Sequence, residues 1–416
     1  MIATARRLGR LAGLVPIGAA AATTTLSAYL AVSTVVGLPR PSKRTVVGPR
    51  RRFLILVPAH DEEIGIGRML ASCDSLDYPR DRFAVHVVAD NCTDRTTERV
   101  RTAGWEAHER DDPDQPGKGP ALNWLFDRLD SRETFDAVVI VDADTSLDRQ
   151  FLTAMDEALD SGAVVAQGRY LVSDPDASAA ASFRYAALAC RHHLRPLARR
   201  RLGASCGLYG NGMAFERDVL RHRSWTGHLV EDAEFQMQLL LDGLVVEYVP
   251  EAVLHAEMPD TLDASVTQNA RWERGRVDLI GRFVPSLARQ FPRAKGRRLA
   301  VLDGIIDLLL PPISVLVAAQ TFGAVASMPQ AVLGSRRHRL IVRCQLAGLS
   351  VVVAHTIAGL VAVRAPLIHF RNLAAAPRIV AWKVALWLRT LCGGSEISWI
   401  RTVRNHERTD SGGTQT

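Results

Sequence analysis

The sequence has no Cys-x-x-Cys pair; its six cysteines are scattered through 416 residues. That excludes a cysteine zinc site and a disulfide framework, and it fits a reducing compartment. Lysine is scarce, four against 47 arginines. Acidic residues are missing from positions 1–50, which hold seven basic ones, and after position 300 only five face twelve. Positions 51–300 therefore carry 32 basic and 39 acidic residues, so the net charge of +7 belongs to the flanks. A nucleic-acid binder presents a basic face on its folded domain; with an acidic centre, no nucleic-acid partner is expected. With 47% hydrophobic and 23% charged residues, disorder is excluded for most of the chain.

Uncharged runs, by contrast, are long. Leu11–Pro39 carries no charge and can cross the roughly 30 Å hydrocarbon layer as a helix. A cleaved signal peptide competes with that reading, since Arg6, Arg7 and Arg10 resemble its basic start, but the run exceeds the usual apolar core of such peptides. An uncleaved anchor is therefore expected. Arg40, Lys43, Arg44, Arg50, Arg51 and Arg52 follow the run and are expected to meet anionic lipid headgroups, and the positive-inside rule then places the middle of the chain in the cytoplasm. Leu308–Gly334 and Cys344–Val363 are further candidate spans, although the Arg336–Arg343 loop between them, with four arginines, would then fall on the outer side. Ala374–Leu388, interrupted by Pro377, Arg378 and Lys383, reads as an interfacial helix. The expected layout is an anchor and basic linker over 1–50, a cytoplasmic catalytic domain over 51–300 and a membrane region with a basic tail over 301–416, in a multi-pass protein of the plasma membrane.

Three short apolar runs in the centre end in carboxylates. Phe53–Val57 stops at Pro58 and leads to His60-Asp61-Glu62-Glu63, with a helical pattern over Ile64–Cys73. Phe83–Ala89 leads to Asp90-Asn91-Cys92-Thr93-Asp94, with a helical pattern over Arg95–Ala103. Ala137–Val141 leads to Asp142-Ala143-Asp144. Buried parallel strands have this appearance, and open α/β sheets bind ligands beyond the carboxyl ends of their strands. Asp142-x-Asp144 can direct oxygen at a hard divalent cation bridging a diphosphate, though such a pair alone is common. Asp90 can accept from a uracil-like imide or a ribose hydroxyl, and Asp90–Asp94 reads equally as a turn and helix cap. Gln115-Pro116-Gly117-Lys118-Gly119 joins flexible backbone to a cation, without a full phosphate-loop pattern.

Further on, Leu208–Ala214 holds two glycines that allow close backbone approach. Val230-Glu231-Asp232 precedes a helical run over Ala233–Leu241. These carboxylates can be anions stabilised at a helix N-terminus or a general base. Within the helical pattern Ala264–Arg276, Gln268, Arg271 and Trp272 share a face; an indole stacks on sugar and a guanidinium pairs with phosphate, and a packed core tryptophan with a snorkelling neighbour has the same spacing. His255 can add a metal ligand or be a satisfied structural histidine.

In order, Pro58-Ala59-His60-Asp61-Glu62, Asp90…Asp94, Asp142-Ala143-Asp144, Glu231-Asp232 and Gln268-x-x-Arg271-Trp272 resemble the signature of family-2 inverting glycosyltransferases. More narrowly, they resemble the membrane-bound branch with cellulose, chitin and hyaluronan synthases and ceramide glucosyltransferase. Trp399-x-Arg401-Thr402-x-Arg404 resembles a segment of that branch. The resemblance implies an α/β GT-A fold, a nucleotide-sugar donor, usually UDP-linked, and Mg or Mn. It implies donor contacts at Pro58, Glu62, Asp90, Lys118 and Asp142, metal at Asp144 and a base at Asp232. Glu231, Gln268, Arg271 and Trp272 would lie around diphosphate and acceptor. His60-Asp61 and Asn91 depart from the common pattern. The few spans favour transfer to a membrane lipid or glycan over a processive polysaccharide synthase. A nucleotidyltransferase needs neither the spans nor the Gln-x-x-Arg-Trp segment.

Overall fold

A computed structural model describes residues 2–38, 48–176, 178–257 and 266–392. Its centre is one eight-stranded mixed sheet with β1 (Phe53–Ala59), β2 (Phe83–Asp90), β3 (Glu106–Arg110), β4 (Ala137–Ile140), β5 (Thr145–Leu147), β6 (Val165–Val172), β7 (Met213–Glu216) and β8 (Glu247–Ala256), in the order β3-β2-β1-β4-β7-β6-β8-β5. The first four in that order are parallel, and β7 pairs antiparallel with both β4 and β6. The three apolar runs read from sequence are β1, β2 and β4. On β1, Phe53, Ile55, Val57 and Ala59 enter one buried cluster while Leu54 and Leu56 enter another across the sheet. A strand buried on both faces needs apolar residues at every position, which is why these runs do not alternate. Strand order reverses between β1 and β4, the place where such sheets bind ligands.

The α-helices among the described residues are α1 (Ile2–Gly37), α2 (Ile66–Asp74), α3 (Thr96–Thr102), α4 (Lys118–Asp130), α5 (Phe151–Asp160), α6 (Ala179–Ala189), α7 (Arg195–Leu202), α8 (Arg217–Arg221), α9 (Glu231–Leu241), α10 (Val266–Gln290), α11 (Arg298–Leu309), α12 (Ile313–Val332), α13 (Arg336–Ala362), α14 (Leu367–Asn372) and α15 (Ala376–Cys392). A π-turn over Cys190–Leu194 joins α6 to α7. Among the described residues, three segments are long and apolar enough to cross a membrane: Pro16–Gly37 of α1, α12 and α13. They pack on one another through Leu30, Leu316 and Val352. Polar pairs stitch them: Thr23 to Gln345 at 3.1 Å, Gln320 to Ser27 at 2.6 Å and Thr34 to His355 at 2.8 Å. Phe322, Val325, Val332, Leu340 and Val353 face outward.

Two expectations change. Arg336–Arg343 is not a loop but the first turns of α13, which starts there because Gly334 turns left-handed (φ +94°) and the Ser335 hydroxyl caps the His338 N–H. The basic residues after α1 do not simply meet lipid headgroups either. Arg51 pairs with Asp156 at 3.2 Å and Glu216 at 3.3 Å, and the Arg50 N–H donates to Asp156. The Trp399–Arg404 segment, and Arg40, Lys43 and Arg44, lie outside the described residues.

Candidate active site

Five segments converge beyond the ends of β1, β2 and β4. Pro58 sits in β1 past Leu56, where the ladder to β4 ends, so its missing N–H leaves that ladder intact. Glu62 is buried just beyond, its N–H donating to Thr96 at 2.8 Å. Asp61 and Asn91 both adopt left-handed backbone, φ +51° and +52°, a conformation that short polar residues tolerate best. Asp61 accepts from the Thr93 N–H at 2.7 Å, and Asp94 accepts from the Thr96 N–H at 2.9 Å and the Glu63 N–H at 2.9 Å.

Among the described residues, Asp61, Cys92 and Asp94 are the set of three potential ligands whose donor atoms lie within 4.8 Å of one another. Both carboxylates are engaged in capping the two strand-end loops. The Cys92 thiol donates to the Ala59 carbonyl, and burial pushes its pKa up to about 11. That chemistry is a knot between two loops and not a ligand set.

Asp90 is also tied down. Its carboxylate takes the buried Arg110 guanidinium and the Gly117 N–H, the latter at 3.1 Å. Arg110 further donates to Asp112 at 2.8 Å and the Gln115 carbonyl at 3.0 Å. Asp90 therefore shapes the 111–117 loop that delivers Lys118 at the start of α4. The Lys118 ammonium reaches Asp142 and the Gly210 carbonyl. Burial alone would lower its pKa, but Asp142, Glu231 and Asp232 outweigh burial and raise it. Asn211, buried and not singled out from sequence, fixes both ends of the Asp142–Asp144 turn. It accepts from the Asp142 N–H at 3.1 Å and donates to Thr145 at 2.7 Å.

Glu231 and Asp232 form the first turn of α9 and do not precede it, as the sequence pattern suggests. Asp232 accepts from the Ala233 N–H at 2.7 Å, a bond available only in the opening turn. Both carboxyls are raised in pKa, mainly by burial, Glu231 to about 7 with Asp232 adding to it; Lys118 and Arg271 pull both back. Gly210 is required beside them: its φ is +76°, and a Cβ there would lie 3.4 Å from Asp232 Oδ2 and 3.5 Å from Lys118 Nζ. On α10, the Gln268 Oε1 and Arg271 Nε are buried with no hydrogen-bond partner among the described residues, so polar groups stand ready for a ligand. Trp272 is half-buried and packs against the cluster of Val230 and Met237. It buttresses the Glu231–Asp232 turn, as the core reading of that residue has it.

Asp144 is half-buried at the start of β5, and the next strand in the sheet, β8, places His255 opposite Ser146. Burial lowers the pKa of His255, keeping a lone pair available. A carboxylate and a neutral imidazole contributed by paired strands are donors that a divalent cation accepts. The five cysteines with described side chains are free thiols.

A profile of the family described as Glycosyltransferase like family 2 matches residues 49–275. A probable glycosyltransferase of Bacillus subtilis, YdaM, is 26% identical over 261 residues, 59% of each chain. An N-acetylglucosaminyltransferase of Rhizobium leguminosarum bv. viciae is 26% identical over 335 residues, 74% of each. The chain thus spans somewhat under two thirds of the Bacillus relative. Among solved structures, the mannosyltransferase PcManGT of Pyrobaculum calidifontis, in complex with GDP-Man and Mn2+, superposes with a TM-score of 0.54 at 19% identity, covering 83% of this chain and 98% of that one. The fold is accordingly GT-A-like.

Proposed function

The chain belongs to the glycosyltransferase-like family 2, and from that premise we propose that it is a membrane-bound inverting enzyme moving one sugar from a UDP-linked donor to a membrane lipid or glycan. The observation that carries this reading is the convergence of Lys118, Asp142, Glu231, Asp232 and Arg271 on one mouth at the end of β4. The nucleoside diphosphate lies along Lys118 and the orphaned Arg271 Nε–H, which supply positive charge where the leaving group gathers negative charge, while the orphaned Gln268 Oε1 accepts from a sugar hydroxyl. Glu62, Asp90 and Asp142 act on the donor side, Asp90 through the Arg110-held loop. Asp144, with His255 nearby, would hold Mg or Mn, which when bound supplies charge neutralisation to the diphosphate.

Asp232 takes the proton from the acceptor hydroxyl, whose oxygen attacks the anomeric carbon. The bond to the diphosphate oxygen breaks with inversion, and Glu231 tunes the base by proximity. A carboxyl with a raised pKa suits a general base working near neutral pH. The domain layout expected from sequence serves the same reading: the catalytic region over 51–300 on the cytoplasmic side, with α1, α12 and α13 as spans. Three such helices among the described residues favour single transfer over threading a polymer through the same chain.

The test is a panel of labelled nucleotide sugars incubated with membranes containing the protein, with lipid and polymer products separated. Lipid-linked label from one donor, with none in polymer, is the expected outcome. Asp232→Asn should abolish transfer and leave UDP binding within about threefold; retained transfer, or lost UDP binding, overturns the assignment of the base.

A further inference from the structure

Lys383 interrupts an otherwise apolar stretch of α15 and, on sequence, belongs at a lipid surface. In the structure it turns inward. Its ammonium donates to Asn269 at 2.6 Å and pairs with Glu273 at 3.2 Å, both on α10. Neither charge is solvated: the Lys383 side chain is 13% exposed and that of Glu273 is 9%. Arg276, one turn further, approaches Glu273 at 4.0 Å and donates to the Leu308 carbonyl, the last turn of α11.

At about 100° per residue, Asn269, Glu273 and Arg276 form one stripe of α10, while Gln268, Arg271 and Trp272 form another, roughly a quarter to a third of a turn away. The stripe with Glu273 meets α15; the stripe with Arg271 is turned toward Glu231 and Asp232. Clamping one stripe fixes the rotation of the helix and hence the aim of the other. Two buried charges on facing helices give a directional lock that apolar packing does not, because a small rotation separates them in a low-dielectric setting.

We propose that Lys383 is a positioning residue for the transfer reaction, holding the Gln268–Arg271–Trp272 stripe of α10 in register with the Glu231–Asp232 turn from the membrane-side helix α15. The inference rests on the glycosyl-transfer reading of that site. It makes α15 a part of the acceptor side of the enzyme and not merely an interfacial float. The helix also packs on the span α12, so the seat of the membrane segment and the aim of Arg271 are mechanically joined.

The full-length protein in nanodiscs tests this with three variants: Lys383→Met, Lys383→Arg, and Lys383→Glu combined with Glu273→Lys. Amide hydrogen exchange over 268–276 reads the lock without reference to any substrate. It should quicken about tenfold in the methionine variant and stay within about threefold of wild type in the other two. In transfer assays the methionine variant should lose about tenfold in kcat with donor KM within about threefold, and the charge swap should recover most of the loss. Unchanged exchange in the methionine variant, or a swap that exchanges as fast as it, overturns the proposal. Should the methionine variant fail to accumulate, the swap decides alone: wild-type exchange supports the lock, and fast exchange or failure to accumulate overturns it. A wild type that transfers sugar from no nucleotide donor defeats the catalytic reading, while the exchange result still decides the lock.

Discussion

Glu231 and Asp232 sit side by side in one helical turn, and each makes the other's ionisation costlier. Burial raises both, and Glu231 reaches about 7 from 4.5, so the pair and not a single residue sets the acidic limb of the rate profile. Because the base must be unprotonated, transfer should rise across a limb displaced above the ordinary carboxylate range and level off beyond it. Glu231→Gln removes the neighbouring charge, and a pH–rate profile of that variant should show the limb displaced to lower pH; an unmoved limb would dissociate Glu231 from the base. The linkage has the matching sign. Between 4.5 and about 7 the folded state binds more protons than the unfolded one, so this pair lowers stability as pH rises across that window, with the loss complete above it.

At this scale the sequence is informative where a residue carries charge and sits at an element's end. Asp142 and Asp232 can be picked out for that reason. Asn211 cannot: it is neutral and buried, and it acts by holding the backbone of Asp142 and the hydroxyl of Thr145. Asp90 is visible, but its engagement by Arg110 and Gly117 depends on a loop returning from β3, a non-local contact that no spacing encodes.

Helix α10 is the element that the proposed mechanism assigns to the acceptor side, and its seat on α9 is set by a missing side chain. A Cβ at Gly275 would lie 2.6 Å from Val230 Cγ2, immediately before Glu231. Alanine improves helix propensity by about 0.5–1 kcal/mol over glycine, whereas overpacking of this kind costs about 1–3 kcal/mol, so the steric term wins. Gly275→Ala should lower both thermal stability and kcat by displacing α10, and Val230→Ala in the same chain should restore them by returning the volume; measured melting temperatures and turnover of the three proteins check this. An additive pair of losses would count against contact between these positions.

Elements, like residues, are unequally legible. β1, β2 and β4 are continuous apolar runs because both faces of the sheet are covered, and α1, α12 and α13 are uncharged over span lengths. β5, three residues long, and the π-turn at Cys190–Leu194 have no periodic signature. Lys383 misleads because a lone lysine in an apolar helix reads as solvent-facing, and its partners lie about 110 positions earlier.

Across the whole molecule, the catalytic sheet and the apolar helices are joined by charge as well as by packing. Arg199 on α7 is 3% exposed and reaches Asp303 at 2.8 Å and Asp307 at 2.7 Å on α11, while its guanidinium donates to the Tyr29 hydroxyl of α1 at 3.0 Å. Arg195 adds a contact to Asp307 at 2.9 Å, and Tyr29 donates to Asp303 at 2.9 Å. Three segments distant in sequence thus share one buried network at the junction of sheet and bundle. Taking charges out of water is costly, and the mutual attraction offsets that cost only while the set is complete. Arg199→Met leaves the two aspartates with Arg195 as their remaining cation in this network, so the protein should lose about 3–5 kcal/mol against unfolding in detergent. Adding Asp303→Asn removes the stranded charge and leaves Arg195 paired with Asp307, so that double variant should recover much of the loss. If the double variant is no more stable than Arg199→Met, then hydrogen bonding to Tyr29, and not charge balance, is what joins the two halves.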